Sequence, residues 1–271
     1  MRLRGKVAVV TGVNVGSIGQ ATAMLFAREG ANVVVAGNCD DTGIETVALI
    51  RKEGGEALLL SAEMANDNDV KQVIEATVKA FGKLDILANS EVLFAPKPLQ
   101  VAVEDWQSPL VVNLFGTTLM TRHAAEAMKL RQRGAIVNIV TICGLETSPP
   151  PSTFNATQAA LVQMTQDLAV DLAAHNIRVN CVCHEGARSV IRNEPIRRTS
   201  ETGEESLRSE SPKHLLNQKG KPSEVANAIL LLASDESSSI TGAHLVVGGG
   251  YYDTVKSSSQ THLASRVASF S

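Results

Sequence analysis

Short apolar runs alternate with amphipathic stretches of helical length along this chain, recurring about every 25–35 residues, and nothing else in it constrains the fold so strongly. A strand inside a parallel sheet is covered on both faces, so it reads as continuously apolar rather than alternating. Residues 6–11, 32–36, 56–60, 85–88, 135–140, 177–183 and 244–247 fit that description and predict about seven strands. Helical periodicity fills 17–29, 41–52, 67–82, 108–131, 153–175 and 222–233, with Gly30 and Gly54 placed as stop signals. The expectation is an α/β fold, a doubly wound parallel sheet of three layers.

At 271 residues the chain suits one large α/β domain better than two. That domain is expected over 1–250, with a highly charged segment at about 188–221 as a polar lid and a serine-rich tail over 251–271. Lys and Arg number 25 against 28 for Asp and Glu, a balance that favours neither nucleic acid nor an anionic membrane. No apolar run approaches the ~20 residues a membrane span needs. The N-terminus enters a strand pattern without a secretory h-region. The four cysteines, Cys39, Cys143, Cys181 and Cys183, are too scattered for a disulfide framework, and a reducing cytoplasm is the expected location. The Cys181–Cys183 pair lacks partners for a metal site, so no metal is expected.

Six collinear stretches carry a family resemblance. Residues 11–19 read TGVNVGSIG, 85–90 DILANS, 111–116 VVNLFG, 134–144 GAIVNIVTICG, and 240–250 ITGAHLVVGGG, with RVNCVC at 178–183 before the last. Over about residues 3–250 the chain resembles the short-chain dehydrogenase/reductase family, which implies a Rossmann-type fold and NAD or NADP as cofactor. The family's phosphate turn, TGxxxGxG, is matched with one extra residue. There Gly12 permits the tight exit from the first strand, and Gly16 and Gly19 let backbone amides approach a pyrophosphate at a helix N-terminus. The resemblance places Asn14, Ser17, Ile18, Asn38, Glu63 and Asn89 along the same cofactor groove.

The family moves a hydride between nicotinamide and a carbonyl or alcohol carbon. A tyrosine handles the proton, a lysine four residues later lowers its pKa and holds the nicotinamide ribose, a serine polarises the substrate oxygen, and a helix asparagine holds a linking water. Four-residue spacing sets the tyrosine and lysine on one helix face. Here Thr141 takes the serine position and Asn113 the asparagine position. Phe154 stands where the tyrosine belongs and Gln158 where the lysine belongs. The surrounding STFNATQAAL keeps the family's pattern of small residues and leucine. The only two tyrosines are Tyr251 and Tyr252, and no lysine lies between Lys129 and Lys213, so no shift of register restores the pair. The seven-residue tyrosine–lysine spacing of the enoyl reductases is equally absent. Tyr252 and Lys256 have the right spacing but sit in the tail.

Further departures cluster at the same end of the sheet. Ser90, Glu91 and Val92 replace an Asn-Ala-Gly, and His184 and Glu185 replace a Pro-Gly. His184 and Glu185 are the candidate substitute proton donors, although both are expected to be solvated loop residues. The ribose-binding acid that favours NAD is missing at the end of the second strand, where Gly37 stands. Asn38, Cys39, Asp40 and Asp41 offer no cation for a 2′-phosphate, so NAD and NADP stay undecided. Three expectations follow: a dinucleotide-binding family member that has lost its ordinary relay, an unconventional reductase using Thr141 with His184, Glu185 or water, or a structural subunit without cofactor. The resemblance also implies a small-molecule ligand and a homo-oligomer, dimer or tetramer, or a mixed one, through the two long helices.

Overall fold

The structure, a computed structural model, describes residues 1–38, 41–93, 102–146, 153–185, 214–216 and 220–251. Seven strands form one parallel sheet: β1 Val7–Thr11, β2 Asn32–Gly37, β3 Ala57–Ser61, β4 Ile86–Asn89, β5 Gly134–Thr141, β6 Ile177–His184 and β7 His244–Val247. Their order across the sheet is β3-β2-β1-β4-β5-β6-β7. The helices are α1 Ile18–Arg28, α2 Asp41–Lys52, α3 Asp67–Phe81, α4 Val103–Pro109, α5 Thr117–Lys129, α6 Thr153–Ala173 and α7 Pro222–Ala233. Most of the charged lid and all of the tail after Tyr251 lie outside the described residues, as do Cys39, Asp40, Tyr252 and Lys256.

The apolar runs are strands because both of their faces are used. Alternation along β1 sends Ala8 and Val10 to one layer, with Ala23 and Phe26 of α1 and Val225 and Ile229 of α7. Val9 points the other way, toward Val70 and Ile74 of α3 and Met120 and Ala124 of α5. An internal amide network ties the central strands together. The Asn89 side chain donates to Asn138 at 2.9 Å and to Thr121 at 3.2 Å, and Asn138 donates to Thr165 at 2.9 Å. Asp85 accepts from the Val7 amide at 2.9 Å and pairs with Lys83 at 2.8 Å, which fixes β4 against the start of β1.

The expected helix at 108–131 differs in detail. The chain turns helical at Val103, and residues 110–116 form a π-helix before α5. Pro109 explains the change: it has no N–H to donate one turn back, so the ladder slips to a wider turn after it.

The crossover in strand order falls between β1 and β4, whose chains depart to opposite sides of the sheet. In open α/β sheets that reversal opens a crevice at the carboxyl ends of the strands, where ligands bind. The glycine turn after β1, Gly37 ending β2, and the Ser90–Glu91 exit from β4 all meet there.

Candidate active site

The glycine turn is built by its own side chains. Ser17 caps α1: its hydroxyl accepts from the amides of Asn14 and Gln20 at 3.0 Å each and donates to the Gly12 carbonyl at 3.1 Å. Gln20 reaches back to accept from the Gly16 amide at 2.8 Å. The first amides of α1, Ile18 and Gly19, belong to the donors that a helix start leaves without an intrahelical acceptor, at its positive end. Gly12 is required on two counts. Its φ is +66°, and a Cβ there would stand 2.1 Å from the Ser90 carbonyl oxygen. At Gly16 a Cβ would meet nothing within 4 Å, so the outer side of the turn is open.

Thr11, not singled out in the sequence, clamps the β4 exit. Its hydroxyl oxygen accepts from the amides of Ser90 at 3.0 Å and Glu91 at 3.1 Å. The Asn89 amide nitrogen is engaged inside the sheet, while its Oδ1 is buried without a partner. Asn38 and Glu63 are exposed at the ends of their strands.

Asn113 is fully inside the protein, at 0 % exposure. Its Oδ1 accepts from the Leu93 amide at 2.6 Å, and its Nδ2 donates to the Leu93 carbonyl and to Thr157 Oγ1, both at 3.1 Å. Its main-chain carbonyl accepts from Thr117 Oγ1 at 2.8 Å. Asn113 ties the segment after β4 to α6 through the π-helix.

Phe154 and Gln158 lie one turn apart on α6 and are buried, at 3 % and 1 % exposure. Gln158 Oε1 accepts from the Thr141 amide at 2.8 Å. Gln158 Nε2 and Thr141 Oγ1 are both buried without a hydrogen-bond partner among the described residues. Gly144 makes the contact between this turn and α6 possible, because a Cβ on it would sit 2.7 Å from the Gln158 carbonyl. Two polar atoms on these hydrogen-bonded neighbours are therefore unsatisfied, and neither position carries a charged group. Each would be destabilising by roughly 1–3 kcal/mol if it stayed unpaired, so the arrangement suits a hydroxyl-bearing ligand.

His184 belongs to a strand rather than a solvated loop, whereas Glu185 follows it in a bend and is partly exposed. His184 is the last residue of β6 and the register partner of Thr141, so the two side chains share a face of the sheet. Its Nδ1 is buried and without a partner, and burial pushes the imidazole pKa down to about 4. At neutral pH it carries no extra proton to give. Glu185 hydrogen-bonds the Nε2 of His214, a fully buried ring whose Nδ1 has no partner. The Tyr251 ring lies 5.4 Å from His214, tilted by 42°. His214 sits within the charged segment taken as lid, and only tertiary contact reveals it.

The two thiols Cys181 and Cys183 are 3.8 Å apart, and their contact and burial hold the Cys183 thiol above its ordinary value. No group of three or more His, Cys, Asp or Glu among the described residues is arranged for a metal. No described helix is long and apolar enough to cross a membrane.

Comparison with known proteins points one way. A family model described as enoyl-(acyl carrier protein) reductase matches residues 12–252. A cyclopentanol dehydrogenase of Comamonas testosteroni is 35% identical over 251 residues, covering 92% of this chain and 98% of that protein. A 3-oxoacyl-(acyl-carrier-protein) reductase of Thermotoga maritima is 35% identical over 254 residues, covering 92% and 99%. Among solved structures, a short-chain dehydrogenase/reductase from Burkholderia xenovorans superposes with a TM-score of 0.86 at 30% identity, covering 92% of this chain and 97% of that one.

Proposed function

This chain belongs to the short-chain dehydrogenase/reductase family of oxidoreductases, and we propose that it binds NAD or NADP in the crevice but no longer runs the family's ordinary proton relay. One observation carries the reading: a benzyl ring and a neutral amide, both buried, stand where phenol and ammonium are needed. The relatives named as dehydrogenases and reductases support the fold and the cofactor class. The substitutions on α6 support the loss of the relay.

The residues fit a dinucleotide. The open side of Gly16 and the first amides of α1 would receive its pyrophosphate. Gln158 Nε2, a buried donor without a partner, would hydrogen-bond the nicotinamide ribose, and Thr141 Oγ1 would hold a substrate oxygen. When bound, the nicotinamide gives or accepts hydride. Phe154 keeps the packing of the missing tyrosine and deletes its acidic proton. Losing a general acid–base is worth ~10²–10⁴ in rate, about 3–5 kcal/mol. Hydride transfer is then slow, with water as the proton donor.

A second reading rests on the Glu185–His214 pair, a carboxylate oriented on a buried imidazole beside β6. Here the chain is an unconventional oxidoreductase in which this pair or His184 handles the proton. Titration with NADH and NADPH followed by carbonyl-dependent NADH consumption separates the two. Slow turnover untouched by His214→Ala and His184→Ala favours the first. Brisk turnover removed by either substitution favours the second. Failure to bind either dinucleotide would leave only a structural role. We also infer one domain over 1–250, a cytoplasmic setting, and a homo-oligomer or mixed oligomer through α5 and α6, where Val170 is 78% exposed.

A further inference from the structure

We propose that Glu91, at the exit of β4, supplies the ribose-binding carboxylate that β2 lacks and makes the site selective for NAD(H) over NADP(H). The proposal rests on the dinucleotide reading above and gives it a cofactor class.

In dinucleotide folds an acid at the end of the second strand accepts from the ribose hydroxyls, and it repels a phosphate on the same ribose. Here that position is Gly37, and its backbone explains why no side chain is there. Its φ is +149°, a conformation that side-chain-bearing residues rarely adopt. An acid on β2 itself would strain the strand exit.

The space it would have used is filled from the neighbouring loop. A Cβ built on Gly37 would find Glu91 Oε2 as its nearest non-adjacent atom, at 3.7 Å. The Glu91 carboxylate therefore lies in van der Waals contact with the place where a side chain from the end of β2 would begin. Its position is set by the backbone: the Glu91 amide donates to Thr11 Oγ1 at 3.1 Å, and the Ser90 carbonyl packs on Gly12 so closely that no Cβ fits. Thr11 and Gly12 belong to the phosphate turn, so the backbone that carries Glu91 is anchored to it. The charge of the surroundings agrees. Neither the turn (11–19), nor the β2 exit (37–43), nor the residues after β3 (61–64) contain a Lys or Arg to receive a 2′-phosphate, whereas Asp41 and Glu63 add negative charge.

Isothermal titration of the full chain with NADH and with NADPH tests this by affinity alone. The wild type is expected to bind NADH about tenfold to hundredfold more tightly, the range for a charged hydrogen bond lost and a repulsion gained. Glu91→Gln keeps the shape and removes the charge. It should bring the two dissociation constants to within about threefold, and Glu91→Lys should invert the preference. Thermal denaturation without ligand checks that both variants fold. Equal affinities in the wild type, or a preference unchanged by Glu91→Gln, would overturn the role of Glu91 while leaving the dinucleotide site standing. Binding of neither molecule to the folded wild type would overturn both.

Discussion

Putting the missing pair back is the most informative perturbation: Phe154→Tyr together with Gln158→Lys. The phenol adds one hydroxyl at a site 3 % exposed. The lysine is harder to accommodate. It removes the Gln158 oxygen that accepts from the Thr141 amide at 2.8 Å, leaving a buried donor unpaired at roughly 1–3 kcal/mol. It also brings an ammonium to a position 1 % exposed, which lowers its pKa and adds a desolvation penalty. Without cofactor the double variant should melt about 5–15 °C below the wild type, at ~2–4 °C per kcal/mol for a chain of this size. With saturating NADH or NADPH, rapid mixing with a cyclic ketone should show hydride transfer ~10²–10⁴ faster than the wild type, the worth of a general acid. Phe154→Tyr alone should gain far less, because a phenol without a neighbouring cation keeps its high pKa. A double variant that folds, binds the dinucleotide as tightly as the wild type and gains less than about tenfold would refute the reasoning.

Other outcomes follow from the same contacts. Burial holds the His184 imidazole at about 4 against an ordinary 6.5, so the native state binds fewer protons than the unfolded chain between those values, and stability falls as pH drops through that window. The contribution reaches up to about 3 kcal/mol, and His184→Asn should flatten the slope of urea midpoints measured from pH 7 to 4. Gly12→Ala sets a methyl 2.1 Å from the Ser90 carbonyl in a left-handed conformation; chemical denaturation should show a loss above about 2 kcal/mol, with dinucleotide binding abolished. The Arg178 guanidinium donates to the Leu232 carbonyl at 2.7 Å, Ser237 Oγ at 2.9 Å and the Ser234 carbonyl at 3.0 Å, so Arg178→Met should lower stability by about 2–3 kcal/mol in thermal melts without altering cofactor affinity.

The sheet was legible because burial on both faces writes itself into composition: each of the seven apolar runs became a strand, within a residue or so at its ends. The glycine turn was legible for a related reason, since Gly12 is the residue that its conformation and its closeness to Ser90 demand. The absence of tyrosine and lysine from α6 needed no structure at all. What the linear order does not encode is direction and distant pairing. Glu91 was visible as a charge in the wrong place, but its reach toward Gly37 depends on how β4 leaves the sheet. His214 lies 29 residues beyond Glu185, inside a charged stretch whose periodicity gives no hint of burial. His184 was misjudged as solvated because a Pro-Gly replacement reads as loop, whereas β6 continues to His184 alongside β5. Asn113 was assigned by position alone, and its pairing with Leu93 depends on a π-helix that follows from Pro109.

The central claim is that a nicotinamide is held here without a phenol–ammonium pair to move the proton. Single-turnover mixing of the NADH-saturated wild-type chain with simple ketones, read as loss of nicotinamide absorbance across pH 6 to 10, tests it directly. Saturable binding is expected, with hydride transfer at least ~10²-fold slower than in the Phe154→Tyr, Gln158→Lys variant. Rapid transfer in the wild type, persisting after substitution of His184, Glu185 and His214, would contradict it.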